Sequence, residues 1–174
     1  MKKIFLALKV PYELANEAYS WKEKHPNLPV SWISNKDLHI TIIPPWQEEN
    51  VDDAINKLNS IQEKTGLIRL VFDTVSFGPN RFSPRLVWAT GEVPQKIFNL
   101  KKLLMDTFSK MGGKNDSFIH LTLGRFTPED LARFPSNRLH EEIFWSFTAD
   151  TLVLFETKIG EGGPEYEVVK EIKL

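Results

Sequence analysis

The chain contains no cysteine. Disulfides, thiol nucleophiles and cysteine-ligated zinc are therefore excluded at the outset. Long hydrophobic runs are also missing: no segment approaches the roughly 20 apolar residues that span a bilayer. Nor is there an excess of charge. Lys and Arg number 22 against 23 Asp and Glu, leaving a formal charge of −1, which argues against a protein that coats long nucleic acid through counterion release. A short nucleotide or an RNA end, held by a few local cations, stays open. No low-complexity tract or solenoid period is present. Met1-Lys2-Lys3 and the apolar residues 4–8 resemble a secretory leader only superficially. The run is short, Lys9 and Pro11 interrupt it, and no small-residue cleavage site follows. The segment reads as a first strand, and a cytoplasmic protein is expected.

What is present fits a soluble globular chain. Of 174 residues, 41% are hydrophobic and 26% charged, enough for a sizeable core in one domain or two closely packed lobes. The pattern predicts a strand over 4–10, then a helix opened by Pro11 and running to about 25. A strand at 38–43 and a helix over 51–64 follow, and strands over 67–77 and 85–90 flank a Gly-, Pro-, Asn- and Ser-containing loop. The second half repeats this order. It has a helix over 93–111 ended by Gly112-Gly113, a strand over 118–126, and a helix start at Thr127-Pro128. Two last strands are expected over 147–156 and 166–174, around a Gly-rich turn.

The most specific signal is a repeated tetrapeptide: His39-Ile40-Thr41-Ile42 returns as His120-Leu121-Thr122-Leu123. In a strand, residues i and i+2 share a face. Each copy presents a histidine beside a threonine while the aliphatic residues face a core. Either copy alone is an ordinary amphipathic strand with a polar outer face. Two copies in a chain with only four histidines rarely arise by chance. Together they bring two imidazoles and two hydroxyls, enough for acid–base chemistry on a phosphoryl group. One imidazole works as base and the other as acid near neutral pH, since unperturbed histidines have pKa values of about 6.5. The hydroxyls are placed to donate to non-bridging oxygens. Such a scheme needs no metal and no cofactor. A metal-site reading finds little support, because neither histidine has a histidine or carboxylate partner at i+2 or i+4.

The doubled motif resembles the HxTx signature of the 2H phosphoesterases, and in particular their LigT-like RNA 2′,3′-cyclic phosphodiesterase ("2′-5′ RNA ligase") branch. The resemblance runs over most of the chain: residues 4–8, Leu38 with the first motif, Phe77-Gly78-Pro79, Pro84 to Trp88, the second motif with Gly124-Arg125, Leu154-Phe155-Glu156, and 162–168. It implies an α+β fold, a single domain over 1–174 made of two similar lobes. Antiparallel sheets would line a central cleft about a pseudo-twofold axis, with helices outside and one motif on each lobe. It implies metal-independent hydrolysis of RNA or nucleotide 2′,3′-cyclic phosphates to a 2′-phosphomonoester, with reverse 2′-5′ ligation as a side activity. His39 would act as acid and His120 as base, and Thr41, Thr122 and Arg125 would hold the phosphate. The partners expected are RNA ends or nucleotides, with no membrane and no protein partner, and the chain is expected to be a monomer.

One departure stands out. Where the LigT-like branch continues with a Lys-Phe-Leu-Gly-like run, this chain has Ile43-Pro44-Pro45-Trp46. The two prolines are expected to stop the strand, with Trp46 at the cleft rim. Trp46 and Phe126 are candidates for base stacking, and Arg81 and Arg85 for backbone contacts from a loop. His25 and His140 read as surface histidines without a role. Rival readings are a phosphodiesterase for another cyclic phosphate or a 2′-5′ oligonucleotide, and a non-catalytic nucleotide-binding module on the same fold.

Overall fold

The computed structural model describes residues 1–80, 82–109, 118–160 and 163–174. Strand β1 (Lys2–Lys9) is the spine of a four-stranded sheet. Its alternation is plain: Ile4, Leu6 and Leu8 enter the main core, while Phe5 and Ala7 join Val153 and Phe155 in a smaller cluster on the opposite face. Helix α1 (Tyr12–Glu23) starts after Pro11, whose fixed φ suits the position just before the first turn. It turns Leu14, Ala15, Ala18 and Trp21 inward. The chain then forms β2 (Ser31–Trp32) and a 3₁₀ turn at Asn35–Asp37, and enters the first motif strand, β3 (His39–Glu48).

The prolines do not stop this strand; β3 runs through Pro44 and Pro45 to Glu48. Two features of the sheet make room for them. The strand lies at the edge of the order β3-β1-β8-β9, so an absent N–H on the outer side costs nothing. The register also passes from Leu6 opposite Ile43 to Ile4 opposite Trp46. Two prolines therefore face the single Phe5, as a bulge allows.

Helix α2 (Val51–Asn59) is capped by the Asn50 side chain, which accepts from the Asp53 N–H at 3.0 Å. It ends short of the expected 64. The Ser60 hydroxyl donates to the Lys57 carbonyl at 2.7 Å, and Glu63 turns left-handed at φ 59° to donate its N–H to the Lys173 carbonyl. Strands β4 (Ile68–Gly78) and β5 (Leu86–Gly91) form an antiparallel pair. Helix α3 (Gln95–Thr107) ends well short of Gly112 and Gly113, which lie outside the described residues. Ser109 takes the left-handed turn (φ 52°) that usually falls to glycine at this position. The second motif strand is β6 (Ile119–Arg125). After it, the Thr127 hydroxyl accepts the Asp130 N–H at 3.3 Å and opens only a single 3₁₀ turn, Asp130–Arg133.

The expected strand over 147–156 is two strands in two different sheets. β7 (His140–Ala149) pairs with β4, and β8 (Thr151–Gly160) pairs with β1 and with β9 (Gly163–Lys173). Asp150 makes the corner: its carboxylate accepts from the Thr151 hydroxyl and the Lys173 ammonium, and its carbonyl accepts the Leu174 N–H. The second sheet has the order β2-β6-β5-β4-β7, and every pairing in both sheets is antiparallel. The sheets are therefore not the two sequence halves. β8 and β9 return to the sheet of β1 and β3, while β4 and β5 lie with β6. One hydrophobic cluster joins both, from Leu6 and Ile40 to Phe72 and Leu121.

Phe72 is fully buried in that cluster, whereas Phe144 on β7 is 75% exposed. Phe72→Ala is expected to cost about 3–5 kcal/mol and Phe144→Ala less than about 0.5 kcal/mol in urea unfolding. Equal costs would mean that the joint core is not where stability resides.

Candidate active site

Strands β3 and β6 lie against one another across the two sheets, and their alternation decides what each presents. Ile40 and Ile42, like Ile119, Leu121 and Leu123, are buried in the joint core. His39, Thr41, His120 and Thr122 consequently face outward, and all four line one cavity of about 160 Å³ together with Arg125. The cavity is completed by Ile33, Asp37, Leu86 and Tyr166. The five residues that the sequence singled out for acid–base and phosphate roles thus come together.

His39 is held on several sides. Its Nδ1–H donates to the Asp37 carbonyl at 2.7 Å, which leaves Nε2 for the cavity. Its ring packs against Phe5 at 5.0 Å and Phe155 at 5.6 Å, and stands edge-on to Tyr166 at 4.9 Å. Burial among these rings pushes its pKa below the usual histidine value. The Asp37 carbonyl and carboxylate oppose that shift, whereas the Arg125 and His120 charges add to it. In the free protein, His39 is therefore biased toward the neutral form.

His120 has a different neighbour. Its ring lies 5.1 Å from Trp88 on β5, where Trp88 is the register partner of Thr122 and Thr90 that of His120. The indole is fixed by an N–H bond to the Ser76 hydroxyl at 3.2 Å. Gly78 lies under it, where a Cβ would run into the ring. Arg125, at the end of β6, donates to the Tyr166 hydroxyl at 3.3 Å. Tyr166 thus touches both the first histidine and the phosphate-binding candidate, a role that the sequence did not reveal. Its signals were a place in a strand and in the family-like stretch 162–168, far from both motifs; the sheet order brings it in. Asp37 was legible only as the residue two before His39, because it acts through its carbonyl.

Other candidates fall elsewhere. Trp46 packs on Phe108 at 5.7 Å, well along β3 from His39, and Phe126 is buried against Phe77 and Phe134. Neither lines the cavity. Arg85 is exposed and also outside it, and Arg81 lies outside the described residues. His140 is exposed at the start of β7. His25 is not a simple surface residue: it stacks on Trp21 at 3.9 Å and bonds Glu141 at 2.7 Å, while Trp21 donates to the same carboxylate at 2.8 Å. This ties α1 to β7. Among the described residues, no group of three or more His, Asp or Glu is placed to hold a metal ion, and no helix is long and apolar enough to cross a membrane.

Two antiparallel sheets of this order, with a polar cavity where their motif strands meet, define a LigT-like 2H phosphoesterase fold. The chain belongs to the 2′-5′ RNA ligase superfamily, whose family model matches residues 10–161. It is 25% identical to the RNA 2′,3′-cyclic phosphodiesterase of Methanocaldococcus jannaschii, over 97% of this chain and 99% of that one. Among solved structures, a Thermus thermophilus protein superposes with a TM-score of 0.80 at 18% identity, covering 99% of this chain and 97% of that one. E. coli LigT in its apo form gives 0.75 at 20%, with coverage of 99% and 97%. E. coli LigT complexed with 3′-AMP gives 0.73 at 21%, with the same coverage. These structural likenesses concern the fold.

Because the Arg125 charge lowers the His39 pKa, Arg125→Ala should move the imidazole titration to higher pH. An NMR titration of the free protein reads this directly; an unchanged or lower value would remove the guanidinium from the electrostatics of the cavity.

Proposed function

We propose that this protein hydrolyses the 2′,3′-cyclic phosphate of RNA ends or nucleotides to a 2′-phosphomonoester, using His39 and His120 as its acid–base pair. The observation that carries this reading is that both histidines, both motif threonines and Arg125 line one cavity. Further support comes from the family and from the cyclic phosphodiesterase of M. jannaschii. That E. coli LigT has been seen with 3′-AMP adds that a nucleotide suits this fold.

In this reading water attacks phosphorus and the bond to the 3′ oxygen breaks. His120 takes a proton from the water, and His39 delivers one to the departing oxygen. The threonine hydroxyls and Arg125 donate to the non-bridging oxygens, where negative charge grows in the transition state. With Nδ1 committed to the Asp37 carbonyl, Nε2 is the atom of His39 that meets substrate. The lowered pKa of His39 has a consequence for an acid. The free protein holds it largely neutral, and the bound phosphate anion offsets Arg125 and favours its protonation. If a 5′-hydroxyl takes the place of water, the same displacement joins two RNA ends through a 2′-5′ linkage, with the proton again delivered to the departing 3′ oxygen.

The central test is incubation with a 2′,3′-cyclic nucleotide in excess EDTA, followed by separation of the 2′- and 3′-monophosphates. A 2′-phosphate is expected. Turnover only after a divalent metal is restored would make the histidines ligands, and tight binding without turnover under either condition would favour a nucleotide-binding module. His39→Ala and His120→Ala should each lower kcat by about 10²–10⁴-fold. Thr41→Ala, Thr122→Ala and Arg125→Ala should have milder effects. Persistent turnover by the double histidine variant would defeat the mechanism. Because burial lowers the His39 pKa, the lower limb of the bell-shaped kcat/KM profile, which reports free enzyme, lies below the ordinary histidine value of about 6.5. The limb of kcat, which reports the complex, lies higher. Coincident limbs would mean that the bound phosphate leaves the His39 titration where it stands in the free protein.

A further inference from the structure

Beside the catalytic cavity lies a second, larger one of about 470 Å³, formed between α1 and residues 32–35. Tyr19, Lys22 and Glu23 line it from the helix, and Trp32, Ile33 and Asn35 from the facing segment. Ile33 lines both cavities. The segment is held in place by the Ile33 N–H, which donates to the Leu123 carbonyl at 2.8 Å, at the end of the second motif.

Lys22 is the unusual group. It is only 8% exposed, and burial lowers its pKa to about 8. Its ammonium donates to the Ile33 carbonyl at 2.7 Å. Among the described residues no carboxylate pairs with it. A buried ammonium has three donors, and one neutral carbonyl leaves its charge uncompensated. The adjacent Glu23 forms no ion pair with it; its carboxylate accepts from the Tyr19 hydroxyl instead. Trp32 is half-buried, with one part of its ring over Gly124 and its plane nearly perpendicular to that of Trp21, 6.2 Å away. An aromatic ring and a cation without a carboxylate partner, in a cavity that shares Ile33 with the candidate catalytic one, match the parts of a nucleotide: stacking for a base and charge for a phosphate.

We infer that this cavity is the subsite for the nucleotide preceding the cyclic-phosphate end of an RNA, with its linking phosphate on Lys22 and its base on Trp32. The inference rests on the cyclic phosphodiesterase reading and sharpens it, since the favoured substrate becomes an RNA end rather than a free mononucleotide. Glu23 and Asn35 supply an acceptor and an amide at the rim for the edge of that base.

Two measurements test it separately from the activity. The first compares, by calorimetry, the affinity of a dinucleotide carrying a terminal 2′-phosphate with that of the mononucleotide 2′-phosphate, neither of which can be hydrolysed as a cyclic phosphate. The dinucleotide should bind about tenfold more tightly, and Lys22→Met and Trp32→Leu should each remove most of that gain. The second follows turnover of the corresponding cyclic phosphates. Both variants should keep mononucleotide kcat/KM within about twofold while losing the dinucleotide preference, and this retained turnover certifies that they fold. Equal affinities in the wild type, or a preference untouched by both substitutions, would overturn the subsite even with hydrolysis intact. Absence of turnover for every cyclic phosphate, with the affinity difference still present, would instead count against the catalytic reading and leave the subsite standing.

Discussion

The structure depends on burial of the aliphatic residues of β3 and β6 in one shared core. Ile40 and Ile42 from one sheet, and Leu121 and Leu123 from the other, are each 5% exposed or less. A full burial of this kind contributes about 1.5–3 kcal/mol per side chain, and a one-residue slip of either strand would send those residues to water. The register is thereby enforced, and with it the outward orientation of His39, Thr41, His120 and Thr122. The polar cavity is the other side of the hydrophobic core, and neither can be moved without the other.

That constraint also shapes the electrostatics. The strand alternation that places His39 in the cavity also sets it against Phe5 and Phe155, which belong to the smaller apolar cluster on the cleft face of the first sheet. Aromatic packing fixes the ring and at the same time penalises its charge. His120 lies beside Trp88 instead. Two histidines from near-identical tetrapeptides thus acquire different surroundings, which is what a division of labour between acid and base requires. Arg125 and Tyr166 link the two sides, one from each sheet.

The chain path interleaves the two sequence halves. A single corner residue, Asp150, passes the chain from the five-stranded sheet to the four-stranded one, and α1 is tied to β7 through Trp21, His25 and Glu141. Cutting between the sequence halves would take β8 and β9 away from β1. It would also remove Tyr166 from His39. The site is therefore available only to the complete arrangement of both sheets.

The amino-acid sequence by itself determined the local elements and their faces. Alternation in 39–42 and 120–123 was enough to show which side chains share a surface, and the proposed acid–base chemistry rests on their types. Composition also dictated that cysteine chemistry had no part. What it left open was decided by contacts between distant segments. The Pro44-Pro45 pair reads as a strand stop until an edge position and a bulge opposite Phe5 are known, because a proline's missing N–H matters only where a neighbour would have used it. Trp46 and Phe126 look like stacking platforms because they follow the motifs, yet tertiary packing turned them onto Phe108 and Phe77. Tyr166, Trp88 and the Asp37 carbonyl entered the site through sheet order, register and a backbone hydrogen bond. None of these can be read from periodicity, which records which face a residue occupies but not which strand will lie beside it.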